Sequence, residues 1–233
     1  MTGDARIVQG VDALLSGLGH DLRSPLNAII GFSDLLLLEL PGPLEAAQRH
    51  HLEEIRSAGG AMLRMTDALV DLARIEAGVV DVLVAPVAIA PFLEEIRSSF
   101  GAEAAARGLS LEVDPSGPDR CETDGGILAR IVGHLVRNAI ASTETGGVTI
   151  RAREDHAGGR VRFEVMDTGP GISDHNRAML FQPFDRSASD RPRQGTGLGL
   201  FVGGRLADLL GAEITVETGD RGSTFAVTLP GSR

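Results

Sequence analysis

Residues 11–36 read VDALLSGLGHDLRSPLNAIIGFSDLL, and their spacing decides the first half of the fold. Val11, Leu15, Leu18, Leu22, Pro25, Ile29, Phe32 and Leu36 step by 4-3-4-3-4-3-4, an apolar seam sustained over three heptads. Leu40-Pro41-Gly42-Pro43 then breaks the helix. Ile55, Ala58, Met62, Met65, Leu69 and Leu72 form a second seam, which Gly78 ends. The spacing predicts a helical hairpin with arms of about 35 residues, roughly 50 Å long. Two such arms cannot bury their seams alone. A dimer making a four-helix bundle would cover them, and so would packing on the C-terminal half of the chain.

His20 stands two positions from both Leu18 and Leu22, about 200° around the helix, and so points away from the seam. Ser24 and Asn27 share its face, and Asp21 is its neighbour. Pro25 lacks an N–H and its ring crowds the carbonyl of Asp21, which predicts a kink beside His20. A lone exposed His is an ordinary solvated residue. One with an adjacent carboxylate fits a nucleophilic imidazole, its N–H oriented by Asp21 and its other nitrogen free.

Beyond Gly78 the pattern changes. The expected elements are a strand at Val79–Val84, a helix at Ala90–Arg107, a strand at Leu109–Val113 and a helix at Asp124–Ser142. Paired strands follow at Val148–Glu154 and Val161–Met166, then a helix at Leu198–Leu210 and strands at Ala212–Thr218 and Ser223–Leu229. Hairpins mixed with helices predict an α/β sandwich with a mixed sheet, not a doubly wound parallel one. The expected domains are residues 1–77 and 78–233.

Composition narrows the chemistry. All 22 basic residues are Arg, which excludes a P-loop Lys, a protein-kinase-type Lys and Schiff-base catalysis. A net charge of −10 argues against nucleic acid, because residues 1–77 carry 11 acids to 6 Arg and no basic half emerges. No stretch is long and apolar enough to span a membrane, and no signal peptide opens the chain. Cys121 is the single cysteine, in keeping with a reducing cytoplasm.

Several motifs together resemble a family. His20-Asp21-Leu22-Arg23-Ser24-Pro25-Leu26-Asn27 is similar to the phosphoacceptor H-box of sensor histidine kinases, with Asp for Glu and Ser for Thr. Asp167-Thr168-Gly169-Pro170-Gly171-Ile172 resembles the G1 box, and Gly195-Thr196-Gly197-Leu198-Gly199-Leu200 the G2 box. The G2 box opens a helix, whose N–H groups can hold phosphate. Leu180-Phe181-Gln182-Pro183-Phe184 resembles the F-box, and Asp185–Gln194 with Arg186, Arg191 and Arg193 a short ATP lid. The N-box departs from the family pattern. Asn138 matches its second Asn, but His134 stands for the first and Ala141 for the Lys.

The resemblance implies a dimerisation and phosphotransfer hairpin followed by a Bergerat-type ATP-binding domain. It implies transfer of the γ-phosphoryl of Mg·ATP to His20, with Asp21 as base, and onward to an aspartate of a response regulator. His134, Asn138, Asp167, Gly169, Gly171, Ile172, Phe184, Arg186, Gln194, Gly195, Thr196, Gly197, Leu198 and Gly199 would form the ATP site, with Asn138 holding Mg²⁺. Ser24 would position water for a phosphatase activity. The altered N-box motivates an alternative, an ATP-independent phosphotransferase that relays phosphate through His20. A binding-only ATPase of the same fold would leave the H-box unexplained. With no sensor ahead of the first helix, either the chain belongs to a longer kinase or a separate sensor protein supplies the input.

Overall fold

A computed structural model describes residues 2–39, 42–155, 159–183, 197–219 and 221–231, without the side chains of 2–9, 12, 174 and 175. The chain divides into two compact units, residues 1–80 and 81–233.

The first unit is a helical hairpin, α1 (Thr2–Leu37) and α2 (Ala46–Glu76). α1 continues through Pro25 without interruption. At the start of α2 the Gln48 side chain accepts the Glu45 N–H at 2.9 Å, satisfying a donor the helix cannot. α2 ends as expected at Gly78, whose φ of +65° lets the chain turn while its N–H bonds the Ile75 carbonyl.

The hairpin does not close on the apolar seams. Gly19, Leu26 and Ser33 on α1 and Gly59, Ala68, Val70 and Ile75 on α2 are the buried residues among those described. The helices come close at Gly59, where a Cβ would stand 3.1 Å from the Ile30 side chain. The Arg23–Asp67 ion pair at 2.6 Å ties the arms. The seam residues Leu18, Leu22, Ile29, Phe32 and Leu36 stay 41–67% exposed, as do Ile55, Met62 and Leu69 on α2. The packing face and the apolar stripe are thus different faces of the same helices.

The second unit runs β1 (Ala85–Ala88), α3 (Ile89–Ala105), β2 (Ser110–Asp114), β3 (Arg120–Thr123), α4 (Gly125–Ser142), β4 (Gly147–Asp155) and β5 (Arg160–Asp167). There follow α5 (Asp174–Arg177), α6 (Gly199–Leu210), β6 (Glu213–Gly219) and β7 (Gly222–Thr228). Five strands form a mixed sheet in the order β2-β4-β5-β7-β6, with β2 and β4 parallel and the other pairs antiparallel. This matches the mixed sandwich expected.

Two expectations fail here. Val79–Val84 is not a strand, and the strand that does form, β1, pairs with the unexpected β3. The register explains the shift. Ala85 pairs with Thr123, and the next residue, Asp124, leaves the strand to cap α4. Residues 79–84 therefore have no backbone ladder to join, whatever their β-propensity.

The core lies between the sheet and the helices. Val148, Ile150, Phe163, Val165, Phe225 and Val227 project alternately toward it, each at most 1% exposed. α4 is amphipathic: Leu128, Ile131, Leu135 and Ile140 are fully buried, and Arg130, His134, Arg137 and Asn138 share the less buried face. Phe92 of α3 meets Phe163 edge-on, ring centroids 5.6 Å apart. The opposite sheet face is polar. Arg162 spans it, bonding Glu164 (2.9 Å), Thr215 (3.2 Å) and Glu217 (3.1 Å), while Arg151 takes the other Glu164 oxygen.

Candidate functional site

In the first unit, His20 and Asp21 lie side by side on the solvent face of α1. Their side chains are 81% and 83% exposed, with Nδ1 and Oδ1 3.5 Å apart. Ser24 and Asn27 are exposed on the same helix. The preceding residue explains the placement. A Cβ on Gly19 would stand 3.3 Å from the Val70 side chain, so Gly19 occupies the crossing and its neighbour is turned outward. Arg23 is committed to Asp67 and leaves the His20 face. The arrangement gives an accessible imidazole with a carboxylate in ion-pair range.

In the second unit, the chain leaves β5 at Asp167, which is 7% exposed. Its Oδ1 accepts the N–H of Gly169 at 2.8 Å and of Ser223 at 3.3 Å. These bonds orient a carboxylate that would otherwise be costly to bury. The following turn is locked on three sides. Thr168 Oγ1 accepts the Gly147 N–H at 3.0 Å and donates to the Thr145 carbonyl at 3.0 Å. Ile172 donates its N–H to Thr218 Oγ1 at 2.8 Å, and Thr218 Oγ1 in turn meets Ser223 Oγ at 3.1 Å. Gly171 has φ +75°, and a Cβ there would overlap the Gly219 carbonyl oxygen. Gly222 has φ +125°, and its Cβ would overlap the Asp167 carbonyl oxygen. Only glycine admits both contacts.

α4 and α6 bring two further predicted groups together. A Cβ on Gly199 would stand 3.4 Å from His134 Nδ1, and one on Gly203 would stand 3.6 Å from His134 Cβ. The His134 imidazole thus lies against the first turns of α6. Burial pushes its pKa down to about 4, and the Arg137 and Arg130 charges add to that, so the ring is neutral at pH 7. Arg137 itself turns to α3, over the Phe100 ring at 5.1 Å and 3.6 Å from Glu103. Asn138, one turn further along α4, is half-buried. Gly197 (φ +70°) and the buried Leu198 lead into α6, whose first residue is Gly199. The Leu198 side chain makes no cap hydrogen bond to the first turn.

Leu180 is buried and Phe181 packs beside Gly204. Phe184, Arg186, Arg191, Arg193, Gln194, Gly195 and Thr196 lie outside the described residues. Among the described residues no group of three His, Cys, Asp or Glu could hold a metal ion, and no helix is long and apolar enough to cross a membrane. A divalent cation carried in by phosphates needs only a ligand or two from the protein, and the Asn138 amide suits that.

Sequence reasoning missed Thr218, Ser223, Gly222 and Asp124. The first three belong to the β6–β7 hairpin, about 50 residues from the turn they hold. The signal available was the Gly219–Gly222 turn, which reads as a simple hairpin until the register brings it to Asp167.

Comparison with known proteins extends the geometry. Residues 11–78 match the model of the His Kinase A (phospho-acceptor) domain. Residues 123–233 match that of the histidine kinase-, DNA gyrase B- and HSP90-like ATPase. The chain is 35% identical over 222 residues to the aerobic respiration control sensor protein ArcB of Escherichia coli, covering 92% of this chain and 28% of that protein. It is 34% identical to the circadian input-output histidine kinase CikA of Synechococcus elongatus, covering 93% of this chain and 29% of that protein. The chain therefore spans less than a third of the length of these relatives. Among solved structures, full-length ShkA in complex with AMPPNP superposes with a TM-score of 0.69 at 30% identity, over 94% of this chain and 46% of that one. The Acinetobacter baumannii histidine kinase AdeS shares the fold, with a TM-score of 0.63 at 19% identity, over 92% of this chain and 98% of that one.

Proposed function

The chain belongs to the sensor histidine kinases, a phospho-acceptor domain followed by an ATPase domain, and we propose that it moves the γ-phosphoryl group of ATP to His20 and then to an aspartate of a response regulator. The observation that carries this reading is the exposed His20 with the Asp21 carboxylate 3.5 Å from Nδ1. Residues 1–77 act as the dimerisation and phosphotransfer domain and residues 78–233 as the ATP-binding domain.

In the first step a neutral His20 nitrogen attacks the γ-phosphorus and the bond to the β,γ-bridging oxygen breaks, leaving ADP. Asp21 takes up the imidazole proton and stabilises the positive charge developing on the ring. Asp167 accepts the exocyclic amine of the adenine, held in place by the Gly169 and Ser223 N–H groups. The N–H groups of the first turn of α6 and Arg186 hold the phosphates. When bound, Mg²⁺ neutralises phosphate charge and aligns the group for in-line transfer. Asn138 would hold it, and the neutral His134 would line the phosphate site.

In the second step the phosphoryl group passes from His20 to a carboxylate of the regulator, and the imidazole is restored. Ser24, on the same exposed face, positions water for hydrolysis of the regulator's aspartyl phosphate, which releases inorganic phosphate and the free carboxylate. Two protomers join through the exposed stripe on α1 and α2. The single thiol and acidic surface fit a cytoplasmic domain, and a longer chain or a separate sensor protein provides the input.

One observation favours a second reading. His134 and Ala141 occupy the Asn and Lys positions of the usual N-box, as in a chain that relays phosphate without ATP. Incubation with γ-labelled ATP separates these readings. Wild type should take up acid-labile label and His20→Ala none. Equal label on the variant would refute His20 as acceptor. Calorimetry showing no ATP binding with Mg²⁺ would favour the relay.

A further inference from the structure

Asp124 uses its two carboxylate oxygens for two different tasks. Oδ1 accepts the Ile127 N–H at 2.9 Å and caps α4. Oδ2 accepts the N–H of Leu83 at 2.9 Å. Leu83 lies in the stretch 81–84, which opens the second unit and leads into β1. Val82, Leu83 and Val84 are 37%, 74% and 64% exposed, so apolar packing does not hold this stretch. It also lies beyond the β1–β3 ladder, which ends at Ala85 and Thr123. The carboxylate gives the Leu83 N–H an acceptor two residues beyond the last ladder pair.

The cap does not need the second oxygen. Ser, Thr or Asn caps a helix with a single acceptor. A carboxylate offers two acceptors, whereas the Asn side chain pairs one acceptor with a donor that would face the Leu83 N–H. Burial raises the Asp124 pKa, but the N–H groups of Ile127, Leu83 and Gly126 and the Arg130 charge hold it below the ordinary value.

We propose that Asp124 is a positioning residue. It pins the chain entering the ATPase unit to the N-terminus of α4, the helix that carries His134 and Asn138, and so restricts the freedom of the segment that links this unit to the hairpin. This rests on the phosphotransfer reading above. Phosphoryl transfer is steep in geometry, and a displacement near 1 Å can cost up to about a hundredfold in rate. A released entry segment would therefore slow transfer without altering the nucleotide site.

The test uses the full chain with Asp124→Asn, Leu83→Pro and the double variant. Asp124→Asn keeps the cap and loses the second acceptor; Leu83→Pro removes the donor and leaves α4 untouched. Hydrogen exchange should show the Leu83 amide protected in wild type and unprotected in Asp124→Asn, with Ile127 protected in both. Affinity for AMPPNP should stay within about twofold, while the first-order rate of His20 phosphorylation falls about tenfold. Each single variant should show the same loss, and the double variant no more. Equal exchange at Leu83 in wild type and Asp124→Asn would overturn the clamp. Wild-type phosphorylation rates in the variants, losses of affinity matching those of rate, or losses that multiply in the double variant would overturn the positioning role. A wild-type chain that binds AMPPNP but never labels His20 would refute the kinase reading, and the transfer role with it, while the exchange result would still report the clamp.

Discussion

Phe32→Ala should separate association of the hairpin from its folding. Phe32 is 67% exposed in the protomer and lies on the stripe with Leu18, Leu22, Ile29 and Leu36. Burying a whole Phe side chain is worth up to about 3 kcal/mol, so covering the exposed two-thirds is worth about 2 kcal/mol. A two-fold dimer counts the residue twice, giving about 4 kcal/mol. At 1.4 kcal/mol per tenfold, the dimer dissociation constant should rise about a thousandfold. The protomer should hardly notice, since exposed sites usually change stability by less than about 0.5 kcal/mol. Leu26, 7% exposed against α2, is the contrast. Leu26→Ala removes buried packing and should cost the hairpin about 2–5 kcal/mol. Sedimentation equilibrium over a concentration series reads the first effect, and chemical denaturation reads the second. An unchanged dissociation constant for Phe32→Ala, or a wild-type chain that stays monomeric at high micromolar concentration, would refute association through this stripe.

Three further outcomes follow from the ATPase unit. Asp167→Asn keeps an acceptor for Gly169 and Ser223 but loses the charge; calorimetry should show ATP affinity falling about ten- to a hundredfold with little change in melting temperature. Gly171→Ala forces a Cβ at φ +75° against the Gly219 carbonyl, so thermal unfolding should show a loss of at least about 1–3 kcal/mol. The His134 pKa is about 4 folded against an ordinary 6.5, so the unfolded chain binds the extra proton between those values. Stability should be complete above pH 6.5 and fall as pH drops toward 4, by on the order of 3 kcal/mol from this one group. His134→Asn should flatten the wild-type curve in that window; an unchanged slope would assign the acid sensitivity elsewhere.

The hairpin, the mixed sheet and the residues of the proposed phosphotransfer and nucleotide sites were legible in the chain because they rest on local rules. Heptad spacing, a helix-breaking Pro-Gly-Pro, Gly78 at a helix end and glycine turns after an apolar strand all act within a few residues. His20 could be turned outward from spacing alone, and the structure leaves it 81% exposed at the side chain. What the spacing could not reveal was which helix face meets which. α1 and α2 approach where Gly19, Ser33 and Gly59 let the backbones come close, with Leu26, Ala68 and Val70 buried beside them, and the seam residues Leu18, Leu22, Ile29, Phe32 and Leu36 are left outside. The strand expected at Val79–Val84 failed for a related reason. A strand exists only where a partner offers a ladder, and Asp124 ends that ladder by capping α4. The support of Asp167 by Ser223, of Ile172 by Thr218, and the seating of His134 against Gly199 are pairings across tens of residues. They depend on register and on helix–helix contact. Periodicity assigns each segment its shape, and only tertiary packing assigns it a neighbour.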